Sequence, residues 1–475
     1  MKDTKIQGSI HIDESLLNIL KNKKVLCLVD GQHYPPVTKW TINEIEKENA
    51  EVVSIVFLGG TEKVKNALEE LDSGDKYGIY VQKNSKKIPY SMLKKAIKET
   101  EPDFIIDLSD EPVVDYGTRF KLASLVLKEG CVYFGADFIF TPPKQYKVLK
   151  KPSLSIIGTG KRVGKTGVSI SIARFMKEKG YDPVIVCMGR GGPLDPLYID
   201  TKNLDLVSST LIDVAKEGRH AASDFWEDAL LAQVPTIGCR RCGGGMAGNP
   251  FASNLIQGAE MTNFIPEKFV IMEGSGPTFP PVKTDANIVI IGANQPLQNI
   301  TEFLGQYRLM ISRLAIVTMC EEPLANKKKV DSIKESILKI NPNIEVALTI
   351  FRPQPLTDIN GKKIFLATTA NEEILPKIKK SLEKNYRCEI VGTSTSLSNR
   401  HKLKNDLNQG LGKADTLLTE IKAASIDLAG SMADERGIEI VFLHNKTEVI
   451  GGTISSLEGE VEKIYQEIID ARGGR

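Results

Sequence analysis

The stretch that most constrains the fold lies between residues 153 and 175 and reads SLSIIGTGKRVGKTGVSISIARF. Its apolar run at 154–157 indicates a buried strand, and Thr166 opens a segment with helical apolar spacing. The glycines between the two segments permit a tight turn and a close backbone approach. A helix amino terminus presents free N–H groups and a positive dipole to phosphate oxygens. The stretch therefore predicts a strand, a phosphate-binding loop and a helix.

The loop carries the residue types that hold a nucleoside triphosphate. Lys165 is expected to reach the β and γ phosphates, and the Thr166 hydroxyl is expected to ligate Mg²⁺. The loop is one residue longer than G-x-x-x-x-G-K-[ST], because Thr159 stands where the first glycine would fall. The predicted nucleotide-binding residues are Gly158, Thr159, Gly160, Arg162, Val163, Gly164, Lys165, Thr166 and Gly167.

Short apolar runs alternate with amphipathic stretches along most of the 475 residues. This alternation is typical of α/β domains with mainly parallel sheets, and the length favours about three of them. The proline-rich and lysine-rich stretch FTPPKQYKVLKKP marks the first boundary. We predict a Rossmann-like α/β domain at 1–149, a central P-loop domain at 150–351 and a smaller α/β domain at 352–475.

Strand-like runs are predicted throughout the last two domains. Those of the P-loop domain lie at 153–157, 184–188, 234–238, 269–273, 287–291, 314–319 and 345–350. In the last domain, GIEIVFLHN and EVIGG are predicted as two separate strands.

Composition excludes several function classes. The net charge is only +2 and the basic residues form no long run, which argues against a nucleic-acid partner. No apolar stretch reaches about 18 residues, which argues against a membrane span. The polar start lacks the order of a secretion signal, and seven scattered cysteines are typical of reduced thiols. We therefore expect a cytoplasmic protein, and its lysine and glutamate content is compatible with adaptation to heat.

A second motif, FVIMEGSGPTFPP, begins at residue 269. Its apolar run predicts a buried strand that ends at Glu273. A carboxylate at the carboxyl end of a strand beside the phosphate loop is well placed to hold Mg²⁺. We therefore predict Thr166 and Glu273 as the metal ligands.

The motifs also carry a resemblance. GTGKRVGKT and MEGSG are similar to the phosphate loop and strand end of dethiobiotin synthetase and its relatives in the SIMIBI class. Together with VCMGRGGP, GRHAASDFWEDAL and GCRRCGGGMAGNPF, in this order, they resemble the cyclic 2,3-diphosphoglycerate synthetases over nearly the full length. The resemblance implies conversion of ATP and 2,3-diphosphoglycerate to the cyclic anhydride, ADP and phosphate, with ATP and Mg²⁺ as cofactors, by a homodimer.

The implied substrate carries roughly four to five negative charges, so its site needs many cations. The predicted substrate-binding residues are His33, Arg190, Arg219, His220, Arg240 and Arg241. The predicted catalytic residues are Lys161, Lys165, Arg190 and His220. Lys422 is expected to lie on a solvated helix face.

Two other functions stay open at this point. A dethiobiotin-like or cobyrinate-like ligase would activate a carboxylate and needs one cation cluster rather than several. A P-loop GTPase or metallochaperone needs an N-K-x-D tetrapeptide for guanine, which the strand ends IIGANQP and IVTMCEEP do not provide. ATP is therefore favoured.

Overall fold

The computed structural model describes residues 18–60, 78–80, 88–203, 208–218 and 221–473. They form two compact units, one drawn from Met1–Pro142 and Glu302–Met310 and the other from Pro143–Thr301 and Ile311–Arg475. Within the described residues, no helix combines the length and the apolar character needed to cross a membrane.

The strands are numbered along the chain. They are β1 Lys24–Val29, β2 Glu51–Phe57, β3 Gly78–Tyr80, β4 Phe104–Asp107, β5 Val132–Phe134, β6 Ile139–Phe140, β7 Ser153–Gly158, β8 Pro183–Gly189, β9 Leu197–Ile199, β10 Thr236–Cys242, β11 Ala252–Ser253, β12 Phe269–Glu273, β13 Ala286–Gly292, β14 Leu314–Thr318, β15 Glu345–Pro355, β16 Lys363–Ala367, β17 Glu389–Ser394, β18 Thr416–Thr419 and β19 Glu439–Gly452.

The α-helices are numbered in the same way. They are α1 Pro35–Lys47, α2 Tyr90–Thr100, α3 Tyr116–Lys128, α4 Lys165–Glu178, α5 Ser208–Lys216, α6 Asp224–Ala232, α7 Leu255–Met261, α8 Leu297–Thr301, α9 Gly305–Met310, α10 Lys327–Ile340, α11 Leu375–Tyr386, α12 Arg400–Gly410, α13 Ser431–Asp434 and α14 Leu457–Gly473. A π-helix, Ser425–Gly430, precedes α13.

The first unit is built on a six-stranded sheet in the order β3-β2-β1-β4-β5-β6. All neighbouring strands are parallel except β5 and β6. β1 is apolar almost throughout and buried from Val25 onward, as expected for a central parallel strand covered on both faces. The α/β alternation predicted for this part of the chain is confirmed.

The second unit contains one large sheet in the order β11-β10-β8-β12-β7-β13-β14-β15-β19-β18-β16-β17, with β9 beside β10. From β10 to β15 in this order, neighbouring strands are parallel. β15 and β19 then pair antiparallel, and β18, β16 and β17 follow the direction of β19. The sheet therefore consists of two parallel halves that run in opposite directions.

The long strands β15 and β19 join the halves. β14 pairs only with the start of β15, Glu345 to Leu348, and β18 pairs only with the start of β19, Glu439 to Phe442. Because β15 and β19 are antiparallel, these two starts lie at opposite ends of the pair. The carboxyl ends of both halves consequently face the middle of the β15–β19 ribbon.

The structure contradicts the prediction of two separate strands in the last domain. Residues 439–452 form a single strand, in which polar Lys446 and Thr447 pair with Arg352 and Phe351 of β15. The polar residues Lys446 and Thr447 interrupt the apolar pattern, which indicated a turn. In the structure, pairing with β15 keeps this part of the chain extended.

α4 is fixed by its apolar face. Val168, Ile172 and Met176 recur every fourth residue and are fully buried in the core of the second unit. Each such side chain contributes about 1.5–3 kcal/mol by leaving water. This packing holds the amino terminus of α4 against the sheet at the end of β7.

Candidate active site

The phosphate loop follows the fully buried strand β7 and ends where α4 begins. Gly164 is the residue before the helix and has φ +81°, a conformation that favours glycine. A Cβ at Gly164 would lie 2.4 Å from Cζ of Phe351. Both the backbone angle and the close approach therefore require glycine at this position.

Side chains behind the loop hold its shape. Thr159 donates its N–H to the Ile290 carbonyl at 3.0 Å, and its hydroxyl donates to Oε1 of Gln295 at 2.6 Å. The Thr318 hydroxyl donates to the Val163 carbonyl at 2.7 Å. The exposed tip of the loop consists of Lys161 and Arg162. These contacts anchor the loop to the neighbouring strands β13 and β14.

Lys165, Thr166 and Glu273 meet at the carboxyl ends of β7 and β12. Nζ of Lys165 lies 3.4 Å from Oε1 of Glu273, and the Thr166 hydroxyl donates to the same oxygen at 3.2 Å. Burial alone would lower the pKa of Lys165, but the carboxylates of Glu273 and Asp224 outweigh it and raise the pKa. Lys165 is therefore a charged ammonium with almost no access to bulk water.

Asp228 on α6 faces Glu273 from the other side. One oxygen of Asp228, one oxygen of Glu273 and the Cys187 sulfur all lie within 4.8 Å of one another. Burial, followed by the charge of Glu273, raises the pKa of Asp228 well above its ordinary value. Burial likewise raises the pKa of the Cys187 thiol.

Buried carboxylate oxygens without partners indicate a place for a cation. Oε2 of Glu273 and both carboxyl oxygens of Asp228 are buried and have no hydrogen-bond partner among the described residues. Oxygen ligands are the ones that Mg²⁺ prefers, whereas a protonated thiol is a poor ligand for it. The donor set around Glu273 therefore fits Mg²⁺.

Lys165 and Thr166 line a cleft of about 640 Å³ in the second unit, whereas Glu273 and Asp228 are not among its lining residues. One wall consists of the phosphate loop and the segments after β8, β12 and β14, and the other of the segments after β16, β17 and β18. Middle residues of β15 and β19, such as Phe351 and Asn445, form its floor. Ligands of open α/β sheets bind outside the carboxyl ends of the strands, and here two sets of such ends face one cleft.

Two arginines lie at one side of the cleft: Arg190 lines it, and Arg241, which does not, contacts the lining residue Ser275. Arg241 donates from Nη2 to the Ser275 carbonyl at 2.9 Å and from Nη1 to the Gly243 carbonyl at 3.0 Å. Nη2 of Arg190 lies 3.2 Å from the position that a Cβ of Gly276 would take. Burial, and then the charge of Arg190, lower the pKa of Arg241. Two guanidinium groups that repel each other are stabilised by an anion between them.

The C-terminal side carries Lys422, whose Nζ lies 3.5 Å from Oε1 of Glu227. The charge of Glu227 raises the pKa of Lys422, and burial raises the pKa of Glu227 to about 8. Burial would raise the pKa of Glu420, but Lys422 and hydrogen bonds from Thr369 lower it. The expectation that Lys422 lies on a solvated helix face is wrong, because it lies in the turn after β18 and lines the cleft.

The cleft also has an apolar section. Met319, Leu324 and Phe351 line it from the P-loop half, and Ile374 and Ile378 line it from the C-terminal half. Flat apolar surfaces of this kind suit the faces of a nucleobase.

Most of the predicted loop residues line the cleft, as does Arg190. Gly158 and Thr159 lie behind the loop, and Glu273 lies beneath it. Neither Arg240 nor Arg241 lines the cleft. Arg241 donates to the carbonyl of the lining residue Ser275, whereas Arg240 turns its Nε to the Pro193 carbonyl at 2.6 Å.

Three predicted substrate residues are not part of the described residues of the second unit. His33 belongs to the first unit, where its Nδ1 contacts Oδ1 of Asp30 at 2.8 Å. Arg219 and His220 lie outside the described residues.

Sequence reasoning missed Asp228 and His444. An aspartate four residues beyond Asp224 in DFWED gives the signal of an ordinary amphipathic helix, yet Asp228 is fully buried. His444 lies in a strand run without any motif. A carboxylate within an otherwise apolar helical face, at the spacing of Phe225 and Leu231, was the available signal for Asp228.

Three family models match successive parts of the chain. The N-terminal domain model of cyclic 2,3-diphosphoglycerate synthetase matches residues 24–141, the P-loop domain model matches 153–350, and the C-terminal domain model matches 355–446. Among solved structures, LpxK from Aquifex aeolicus, in complex with ATP, is similar at 12% identity and a TM-score of 0.40, covering 74% of this chain and 96% of that one.

Curated relatives match over nearly the whole length. The cyclic 2,3-diphosphoglycerate synthetase of Methanothermus fervidus is 46% identical, with 95% of this chain and 98% of the relative covered. The protein of the same name from Thermococcus kodakarensis is 47% identical, with 90% of this chain and 95% of the relative covered. With three matching domain models and this identity, the chain belongs to the cyclic 2,3-diphosphoglycerate synthetase family.

Proposed function

We propose that this chain closes 2,3-diphosphoglycerate to cyclic 2,3-diphosphoglycerate, with ATP converted to ADP and phosphate. One observation carries the proposal: Lys165 and Thr166 of a P-loop contact the buried Glu273 and line a cleft with separate cations on two further sides. The P-loop domain implies nucleotide use, and membership of the family supports the substrate.

The ATP side of the site follows from the loop. The N–H groups at the start of α4 and the Lys165 ammonium bind the β and γ phosphates, and the apolar section around Met319 and Phe351 packs against adenine. Thr166 and Glu273 hold Mg²⁺, and Asp228 supplies a further oxygen at the same place. When bound there, Mg²⁺ neutralises charge on the phosphate oxygens.

The substrate side of the site must overcome repulsion between two phosphates of one small molecule. Arg190 and Arg241 bind phosphate on one side of the cleft. Lys422 is a separate cation on the C-terminal side. More than one cation cluster favours a substrate with more than one anionic group, and it argues against the ligase that activates a single carboxylate.

The reaction balances in two transfers. An oxygen of one substrate phosphate attacks the γ phosphorus of ATP, the bond to the bridging oxygen breaks, and ADP leaves. An oxygen of the second substrate phosphate then attacks the first substrate phosphorus, the anhydride closes, and inorganic phosphate leaves. The protein's part is positioning and charge neutralisation by Lys165, Arg190 and Arg241.

Several predictions from the sequence stay predictions. Lys161, Arg162, His33, Arg219 and His220 are retained as candidate ligands. The two boundaries between the three predicted domains are also retained. The homodimer and the cytoplasmic location are retained as well.

The test is direct. Purified protein is incubated with ATP, Mg²⁺ and 2,3-diphosphoglycerate and followed by phosphorus NMR. We expect the cyclic anhydride signal to grow in step with ADP and inorganic phosphate. Intact ATP with no cyclic signal, in protein that has its full secondary structure by circular dichroism, would refute the assignment.

A further inference from the structure

The proposed reaction does not assign a binding partner to two side chains on the C-terminal side of the cleft. Lys422 follows β18, and His444 lies in the middle of β19. Both line the cleft that the phosphate loop lines from the other half of the sheet. Their positions at the meeting point of the two half-sheets raise the question of what they bind.

Carboxylates hold Lys422 in place, but they do not use all the hydrogen-bond donors of its ammonium group. Its Nζ lies 3.5 Å from Oε1 of Glu227, at the limit of a hydrogen bond, and the charge of Glu420 is also close. The side chain of Lys422 is 38% exposed, whereas that of Glu227 is 7% exposed. An ammonium has three donors, so the carboxylates orient Lys422 while leaving donors for an anion in the cleft.

His444 gives a second, independent observation. It is 2% exposed, and its Nδ1 is buried with no hydrogen-bond partner among the described residues. Burial, and then the charges of Arg174, Lys422 and Lys446, lower the pKa of His444 to about 3. The ring is therefore neutral at neutral pH and can donate one hydrogen bond, and the cations around it favour an anion as the acceptor.

The backbone is strained at three positions in the lining of the cleft, one on the C-terminal side and two on the P-loop side. Ala423, directly after Lys422, has φ +53°, and Met319 and Arg162, which also line the cleft, both have φ +60°. Non-glycine residues in this conformation cost energy and concentrate at ligand sites. The π-helix Ser425–Gly430 begins two residues after Ala423, and π-helical turns are also frequent at functional sites.

We propose that Lys422 and His444 form a phosphate subsite of the C-terminal half, which binds a phosphate group of the substrate opposite the phosphate loop. The ammonium of Lys422 donates to its oxygens, and the neutral imidazole of His444, which lines the same part of the cleft, donates its single N–H. Glu227 and Glu420 position Lys422 when the subsite holds no phosphate. This inference rests on the proposed function and adds the C-terminal segment to the substrate site.

The experiment compares Lys422→Met, Lys422→Arg and His444→Asn with the wild-type protein. Initial rates are measured at saturating ATP with varied 2,3-diphosphoglycerate, and at saturating 2,3-diphosphoglycerate with varied ATP. We expect Lys422→Met to raise KM for 2,3-diphosphoglycerate about 10- to 100-fold, the loss typical of a hydrogen bond to a charged group. KM for ATP should change less than about threefold, and Lys422→Arg should recover part of the loss.

Lys446→Met is the matched control. It removes one positive charge from β19, but Lys446 is exposed and does not line the cleft. We expect its KM for 2,3-diphosphoglycerate to stay within about threefold of wild type. Unchanged KM in Lys422→Met and His444→Asn, or an equal rise of KM for both substrates, would overturn the inference while the proposed function stands.

Calorimetric binding of 2,3-diphosphoglycerate without ATP separates the two proposals. Binding by the wild-type protein that weakens in Lys422→Met supports the subsite even where the variant turns over too slowly for kinetics. If the wild-type protein forms the cyclic product, but wild type and Lys422→Met bind 2,3-diphosphoglycerate with equal affinity, the subsite alone is overturned. Wild-type protein that neither binds 2,3-diphosphoglycerate nor forms the product overturns both.

Discussion

Replacing His444 by asparagine should make the protein more resistant to acid. The pKa of His444 is lowered from 6.5 to about 3 in the folded protein, first by burial and then by Arg174, Lys422 and Lys446. Below pH 6.5 the unfolded chain therefore binds a proton at this residue that the folded protein does not bind. Stability that is present above pH 6.5 is lost as the pH falls.

The magnitude follows from the gap between the two pKa values. One pKa unit corresponds to about 1.4 kcal/mol, so His444 lowers the free energy of unfolding by about 2 kcal/mol between pH 6.5 and pH 5. His444→Asn should not show this loss, although it should lose stability at neutral pH through poorer packing. Between pH 6.5 and pH 5, the free energy of unfolding of His444→Asn should therefore rise by about 2 kcal/mol relative to that of the wild-type protein.

Urea unfolding at several pH values between 5 and 7.5 measures this difference. His401→Asn, at an exposed position on α12, is the control and should follow the wild-type curve. NMR of protein labelled at its five histidines provides a second measurement, in which the signal lost in His444→Asn should keep its neutral shift down to pH 5. Parallel stability curves for wild type and His444→Asn, or a His444 signal that titrates near pH 6.5, would refute the reasoning.

Three further predictions concern the loop and the core. Lys165→Ala should reduce ATP turnover by at least about 100-fold while the circular dichroism spectrum is kept, because the loop loses its phosphate-binding charge; undiminished turnover would mean that another loop binds ATP. Gly164→Ala combines φ +81° with a 2.4 Å approach to Phe351 and should raise KM for ATP at least about tenfold, whereas Gly180→Ala, at φ +77° in open space, should leave KM unchanged and cost only about 1 kcal/mol of stability. Phe365→Ala, in a fully buried position, should lower the free energy of unfolding by about 3–5 kcal/mol in urea titrations, and a loss below 1 kcal/mol would contradict the burial.

The sequence predicted most strands of the P-loop half, because they contain short apolar runs bounded by turns; the short strands β9 and β11 were not predicted. All seven runs predicted between 153 and 350 correspond to strands, from β7 to β15. The phosphate loop was equally clear, since glycines, Lys165 and Thr166 have a fixed spacing. The close approach of Glu273 to Thr166 followed from a general rule on strand ends and is seen in the structure at 3.2 Å.

The joining of the halves could not be predicted from local patterns. Whether β19 is one strand or two depends on β15, about a hundred residues away, which supplies hydrogen bonds to the polar residues Asn445 to Thr447. The position of Lys422 in the cleft depends on the same pairing, because β19 connects β18 to the P-loop half of the sheet. Local sequence around Lys422 shows a cation near a polar turn, and nothing in it reveals Glu227 on the other half.

The ladder between β15 and β19, which has one register shift between Leu348 and Thr349, limits how this enzyme can move. Nine residue pairs, from Ala347–Gly452 to Pro355–Leu443, connect the two walls beneath the cleft. Swinging one wall away from the other would break or bend this ladder, so admission and release of small molecules should depend on the turns above it. The spacing between phosphate-binding groups on opposite walls is therefore set when the chain folds, and substitutions along the ladder should alter which bisphosphates fit without touching any of them.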